Sequence, residues 1–142
     1  MSELITLETL FQEQGEARFF QVPDYQRGYS WEDEHRKDLL EDIADLLLHD
    51  ATHFTGTVVA ARPERPNDAY QLVDGQQRLT SLVLLLSRLI LRLEDSGVEE
   101  IEPGSTLDGV RGHFISSTER VGATRPRLEL NTDTTALFQE VC

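Results

Sequence analysis

The sequence predicts an α+β domain: a small mixed sheet packed on helices, with a central buried helix directly after a tight Asp-Gly turn. Three observations predict it. Among the fifteen residues from 79 to 93, ten are apolar, a density that marks a core helix over residues 76–94. Short runs rich in β-branched and aromatic residues, 19–22, 54–61 and 70–73, are bounded by Pro, Gly and Asp, as strands are. The chain has 142 residues, 39% hydrophobic and 27% charged, an ordinary composition for one globular domain. A chain of this length buries about two-thirds of the surface its unfolded form exposes, enough for a core without staples.

Each element follows from local pattern. Residues 6–13 place Leu7, Leu10 and Phe11 at helical spacing, with Thr6 as cap and Gly15 as stop. Residues 19–22 read as a strand ended by Pro23, and residues 24–29 as a loop in which Gly28 is available for an unusual backbone angle. Ser30 is the expected N-cap of a helix over residues 32–49. Glu32, Asp33 and Glu34 fill its first turn, where the helix dipole favours negative charge. Leu39, Leu40, Ile43, Leu46 and Leu47 then form one apolar stripe, with Asp38, Glu41, Asp42 and Asp45 on the other side. Residues 54–61 and 70–73 are strands joined by the polar loop 62–68, and Asp74-Gly75 breaks the second one to open the helix of residues 76–94. Residues 95–104 read as a loop, 107–117 fit a helix or a strand, and 127–130 read as a strand. Residues 131–133 cap an expected last helix that stops abruptly at Cys142, so the 142 residues are expected to be one domain at the N-terminal end of a longer protein.

Composition excludes several classes. The single cysteine, Cys142, rules out an internal disulfide framework and a cysteine-based zinc site, and a reducing, cytoplasmic setting is expected. The longest apolar run, residues 82–86, is far too short to span a membrane, so no membrane partner is expected. The formal charge is −13, and residues 1–50 hold thirteen of the twenty-six acidic residues but four of the thirteen basic ones. A duplex-binding domain carries a basic stripe, and this chain has none. Twelve of the thirteen basic residues are arginine, whose planar fork suits carboxylates or phosphates at discrete sites. Anion binding is therefore expected in a pocket, not across a surface.

Two segments can carry chemistry. In the first, the strand ending at Val73, the turn Asp74-Gly75 and the helix start Gln76-Gln77-Arg78 leave backbone amides free at the start of a buried helix, an anion site by construction. Arg78 faces the positive end of the dipole there, which costs roughly 0.3–1 kcal/mol unless an anion bridges it to the amides. A plain turn with Asp74 as N-cap, solvated Gln76 and Gln77, and Arg78 paired to a carboxylate fits the spacing too. In the second, Tyr25, Tyr29 and Trp31 with Arg27 crowd one loop. Such a loop either lines a ligand pocket or packs down on the core edge. There is no Walker loop, dinucleotide fingerprint, His-Glu-x-x-His or nucleophile-elbow serine, and His35, His49, His53 and His113 lack ligand spacing.

The order and spacing of three stretches carry a resemblance. Phe20-Gln21-Val22-Pro23-Asp24-Tyr25-Gln26-Arg27-Gly28-Tyr29-Ser30-Trp31, then Phe54-Thr55-Gly56-Thr57-Val58-Val59, then residues 70–82 with an intact Asp74-Gly75-Gln76-Gln77-Arg78 resemble the N-terminal domain of the GmrSD-type restriction endonucleases. That family shares this DGQQR signature with other phage-defence proteins and is similar to the nuclease-like N-terminal domain of ParB chromosome-partition proteins. The likeness covers residues 5–95 and, more thinly, 127–141. It implies a ParB-like fold and a regulatory domain that binds and hydrolyses a nucleoside triphosphate, gating a His-Asn-His nuclease that cuts modified foreign DNA.

Carried over by position, the resemblance makes Asp74, Gln76, Gln77 and Arg78 catalytic. Gly75, Arg78 and Thr80 hold phosphate, and Tyr25, Gln26 and Arg27 line the same pocket. Glutamine can orient a water while arginine neutralises phosphoryl charge, and a magnesium ion held by Asp74 completes such a site. The implied partners are the nucleoside triphosphate, modified DNA acting through the full-length protein, and the nuclease. No His-Asn-His segment occurs within these residues, so the nuclease lies elsewhere in a longer protein, in a partner, or is absent. The alternative is a non-hydrolysing module that uses the pocket for a DNA phosphate or a protein; direct nuclease activity ranks below both, for want of a carboxylate cluster.

Overall fold

The computed structural model describes residues 3–49, 52–118 and 122–131. Helix α1 (Leu7–Phe11) opens on Thr6, whose hydroxyl accepts the Thr9 amide at 3.1 Å. It ends earlier than its pattern suggests. Strands β1 (Gln12–Glu13) and β2 (Glu16–Ala17) form a hairpin instead, because Gln14 and Gly15 both take positive φ, 51° and 83°. Two successive left-handed residues make the tight turn that matches strand twist, so Gly15 ends the helix by building a hairpin.

Strand β3 (Phe20–Gln21) follows, and then α2 (Asp33–His49). Ser30 is not its cap: the helix begins three residues later, with the Glu32 amide donating to His35 Nδ1 at 3.2 Å. The apolar stripe is only partly used. Leu39 is buried, while Leu40 and Leu47 are 48% and 84% exposed.

Strand β4 (Val59–Ala61) is shorter than the expected 54–61. Residues 54–58 leave the sheet, Gly56 taking φ 111°, to pass over an arginine described below. Strand β5 (Tyr70–Asp74) leads straight into α3 (Gln76–Asp95). The expected loop at 95–104 holds half of another hairpin, β6 (Glu100–Glu102) with β7 (Ser105–Thr106), which turns through Gly104 at φ 87°. Thr106 then caps α4 (Leu107–Phe114) by accepting the Gly109 amide at 3.0 Å, so the ambiguous stretch 107–117 is helix as far as Phe114 and strand from Ser116. Strand β8 (Ser116–Thr118) pairs with β9 (Thr124–Pro126), and β10 (Leu128–Glu129) returns to the main sheet. The last helix expected from sequence lies outside the described residues.

The main sheet has the order β10-β3-β5-β4, parallel except for the antiparallel β5–β4 pair, so it is mixed as expected. Phe20 sits between Leu128 and Tyr70 in register. Phe11, Phe20, Val22, Leu72, Leu128 and Leu130 pack on Leu79 and Val83 of α3. Phe11 meets Phe20 edge-to-face at 5.5 Å and Phe114 at 5.9 Å, closing α1, the sheet and α4 around one core. Ser81 and Ser87, buried on α3, donate to the carbonyls of Gln77 and Val83 at 2.9 Å, so neither is left unpaired. No helix among the described residues is long and apolar enough to cross a membrane.

Candidate functional site

The junction of β5 and α3 is shaped by what its residues cannot be. Gly75, the residue before the helix, takes φ 84°, which an L side chain rarely adopts. A Cβ there would also stand 2.6 Å from the Thr57 carbonyl oxygen, so residues 55–58 close directly on the turn. Asp74 turns its Oδ1 back onto the Gly75 amide at 2.8 Å; its side chain does not cap the helix.

The two glutamines are not solvated. Gln77 spans to the aromatic loop with both ends of its amide: Oε1 accepts the Ser30 amide at 2.8 Å, and Nε2 donates to the Gly28 carbonyl at 3.0 Å. Gln76 Nε2 donates to Gln26 Oε1 at 3.3 Å, and Gln26 Nε2 reaches the Val73 carbonyl at 3.4 Å. Gln76 Oε1 is wholly buried and makes no hydrogen bond with a described residue. Tyr29 binds Ser81 Oγ through its hydroxyl at 2.8 Å and helps Asp33 hold the Arg36 guanidinium more firmly in its charged form, Asp33 being the larger influence. Two segments some fifty residues apart thus form one hydrogen-bonded unit.

The arginines divide. Arg27 is exposed and lines a small pocket with Tyr29, Gln76, Gln77, Thr80 and Asn131. The volume of that pocket is about 10 Å³, on the order of one water molecule. Arg78 points elsewhere: its guanidinium donates to the Thr55 carbonyl and lies 5.8 Å from the Trp31 ring. Gly56 makes room for it, since a Cβ there would overlap an Arg78 guanidinium nitrogen. Of the other residues singled out from sequence, Thr80 is 3% exposed on the pocket wall, and Tyr25 is 78% exposed and outside it.

Sequence reasoning missed several members. Asn131, read as a helix cap, donates from Nδ2 to the Gln26 carbonyl at 2.8 Å. Residues 55–57 read as plain strand, although a glycine inside a strand pattern often marks a bulge, a bend or a close backbone approach. For a metal, the described residues hold no group of three or more His, Cys, Asp or Glu side chains. Asp74 offers one carboxylate. That suffices for a magnesium ion only where phosphate oxygens and water supply the other ligands.

No curated protein sequence matches the chain. The family described as the N-terminal domain of the GmrSD restriction endonuclease matches residues 7–141, which takes in the main sheet, the four helices described above and both halves of the glutamine-bridged unit. A match over nearly the whole chain, on the turn and loop whose geometry is given above, places this protein among the restriction systems: it belongs to the family of GmrSD restriction endonuclease N-terminal domains.

Proposed function

We propose that this domain binds and hydrolyses a nucleoside triphosphate and, through that cycle, gates a His-Asn-His nuclease that cuts modified DNA. One observation carries the reading: the exposed Arg27 guanidinium, the glutamine pair and the start of a twenty-residue buried helix converge on one pocket. Free amides and the dipole at a helix start favour a phosphate, and an arginine fork adds charge-assisted hydrogen bonds to it. Asp74 would give a magnesium ion its one protein ligand, and the ion would spread the charge of the phosphates. The water-sized pocket favours a second reading, in which a phosphate binds at the rim without turnover, because a whole nucleotide fits only if residues 24–30 move.

Calorimetric titration with ATP, GTP, CTP and UTP in the presence of magnesium, followed by phosphate release, separates the two. Saturable binding with steady release is expected. Arg27→Ala should weaken binding roughly ten- to a hundredfold, the loss of one charge-assisted contact of about 1.5–3 kcal/mol. Binding without release would establish the sensor reading, and no binding of any triphosphate would refute both.

A further inference from the structure

We propose that the DGQQR turn divides its labour, with Gln76 alone holding the attacking water and Gln77 and Arg78 acting as positioning residues; this rests on the hydrolytic reading above. The division follows from which side-chain atoms are already used. Both ends of the Gln77 amide are taken by backbone, the Ser30 amide and the Gly28 carbonyl. Arg78 holds the Thr55 carbonyl and fills the space over Gly56. Asp74 Oδ1 is turned onto the Gly75 amide. Gln76 Oε1 is the exception, a buried acceptor with no partner among the described residues. Such an atom in a fold calls for an explanation, and a water bound beside it is one.

The pocket beside it says what that is. Its volume of about 10 Å³ fits one water, and a buried water needs two to four polar partners. Gln76 Oε1 supplies one, and Thr80 and Asn131, each 3% exposed, line the same space. An amide oxygen accepts a hydrogen bond from the water and so turns an oxygen lone pair away from itself, towards a phosphate neutralised by Arg27. The water oxygen bonds to the γ-phosphorus as the bond to the β–γ bridging oxygen breaks, its electron pair leaving with the diphosphate. One proton of the water stays on inorganic phosphate and the other goes to solvent. Glutamine orients and takes no proton.

Two measurements on the whole chain test this. A crystal structure fine enough to show solvent should hold a water within hydrogen-bond distance of Gln76 Oε1, lost in Gln76→Leu; an empty or walled-off pocket overturns the proposal whatever the activity. With ATP and magnesium, Gln76→Leu should keep its nucleotide affinity within about threefold and its melting temperature, yet lose about a hundredfold in single-turnover rate. Gln77→Leu should lower the melting temperature. Wild-type turnover in Gln76→Leu, or a Gln77→Leu variant that loses turnover with its melting temperature intact, overturns the division. A wild-type chain that hydrolyses no triphosphate sinks the hydrolytic reading and the attacking role with it, while the crystal structure still decides whether Gln76 holds a water.

Discussion

Gly75 and Gly56 both take positive φ, but different neighbours require them. At Gly75 the obstruction is backbone, the Thr57 carbonyl at 2.6 Å, which has no rotamer to change. Gly75→Ala should therefore cost about 2 kcal/mol or more in chemical denaturation, at least the 1–2 kcal/mol of a left-handed L-residue. At Gly56, also at positive φ, the obstruction is the end of a long side chain that can move, so Gly56→Ala should displace Arg78 and cost the backbone strain alone, leaving the domain folded. The chain's single tryptophan, Trp31, lies 5.8 Å from that guanidinium, and its fluorescence should change in Gly56→Ala and in Arg78→Ala alike. Arg127 is the other decisive residue. Its buried guanidinium donates to the carbonyls of Gly112, Phe11 and Arg18 at 3.0, 3.3 and 3.4 Å, and burial lowers its pKa from the ordinary value. Nothing local in the sequence marks it. Arg127→Met keeps the stem but takes these donors away, the Phe11 carbonyl keeping only the Arg18 amide, and should lower stability by about 2 kcal/mol, since a buried unpaired polar group costs ~1–3 kcal/mol.

Helices α2 and α3 were both legible as helices, yet burial treats them differently. On α3, Leu79, Val83, Ser87 and Ile90 repeat at helical spacing on the buried side, and Leu79 and Val83 pack in the core with the sheet. Leu79→Ala should cost about 2–5 kcal/mol, as core truncations of leucine do. On α2, leucines of the same apparent stripe face solvent, and Leu47→Ala should change stability by less than about 0.5 kcal/mol. Urea denaturation of the two variants compares them directly. The short hairpins were not legible. Strands β1, β2 and β7 have two residues each, too few to show an alternating pattern, and their turns depend on backbone angles at Gln14, Gly15 and Gly104.

Across the whole molecule, charge sets what the domain meets. The net charge of −13 repels duplex DNA, most strongly at low salt, where screening is least. The isolated chain, incubated with modified and unmodified plasmid, magnesium and each triphosphate, should neither cut nor retain the DNA. Nicking that depends on Asp74 or Arg78 would show that the domain is itself a nuclease.

The α+β class, the core helix and the place of the Asp-Gly turn before it were all determined by the sequence alone. They depend on local quantities: hydrophobic density, β-branched runs, and the special angles open to glycine. The closeness of the aromatic loop and the DGQQR turn was implied by the family resemblance, not by any local pattern. What each side chain does there was decided by tertiary structure. Gln76 and Gln77 are identical neighbours in sequence and line the same pocket, but successive helix positions point about 100° apart, so Gln77 spends both ends of its amide on the backbone of residues 28–30 while Gln76 donates to Gln26 and keeps a buried oxygen without a described partner. Arg78, the expected phosphate ligand, is held by Thr55 and Trp31 because residues 54–58 leave the sheet to pass over it. Partners some twenty to fifty residues away cannot be read from spacing, and the hydrogen bonds that tell the two glutamines apart exist only once the chain has folded.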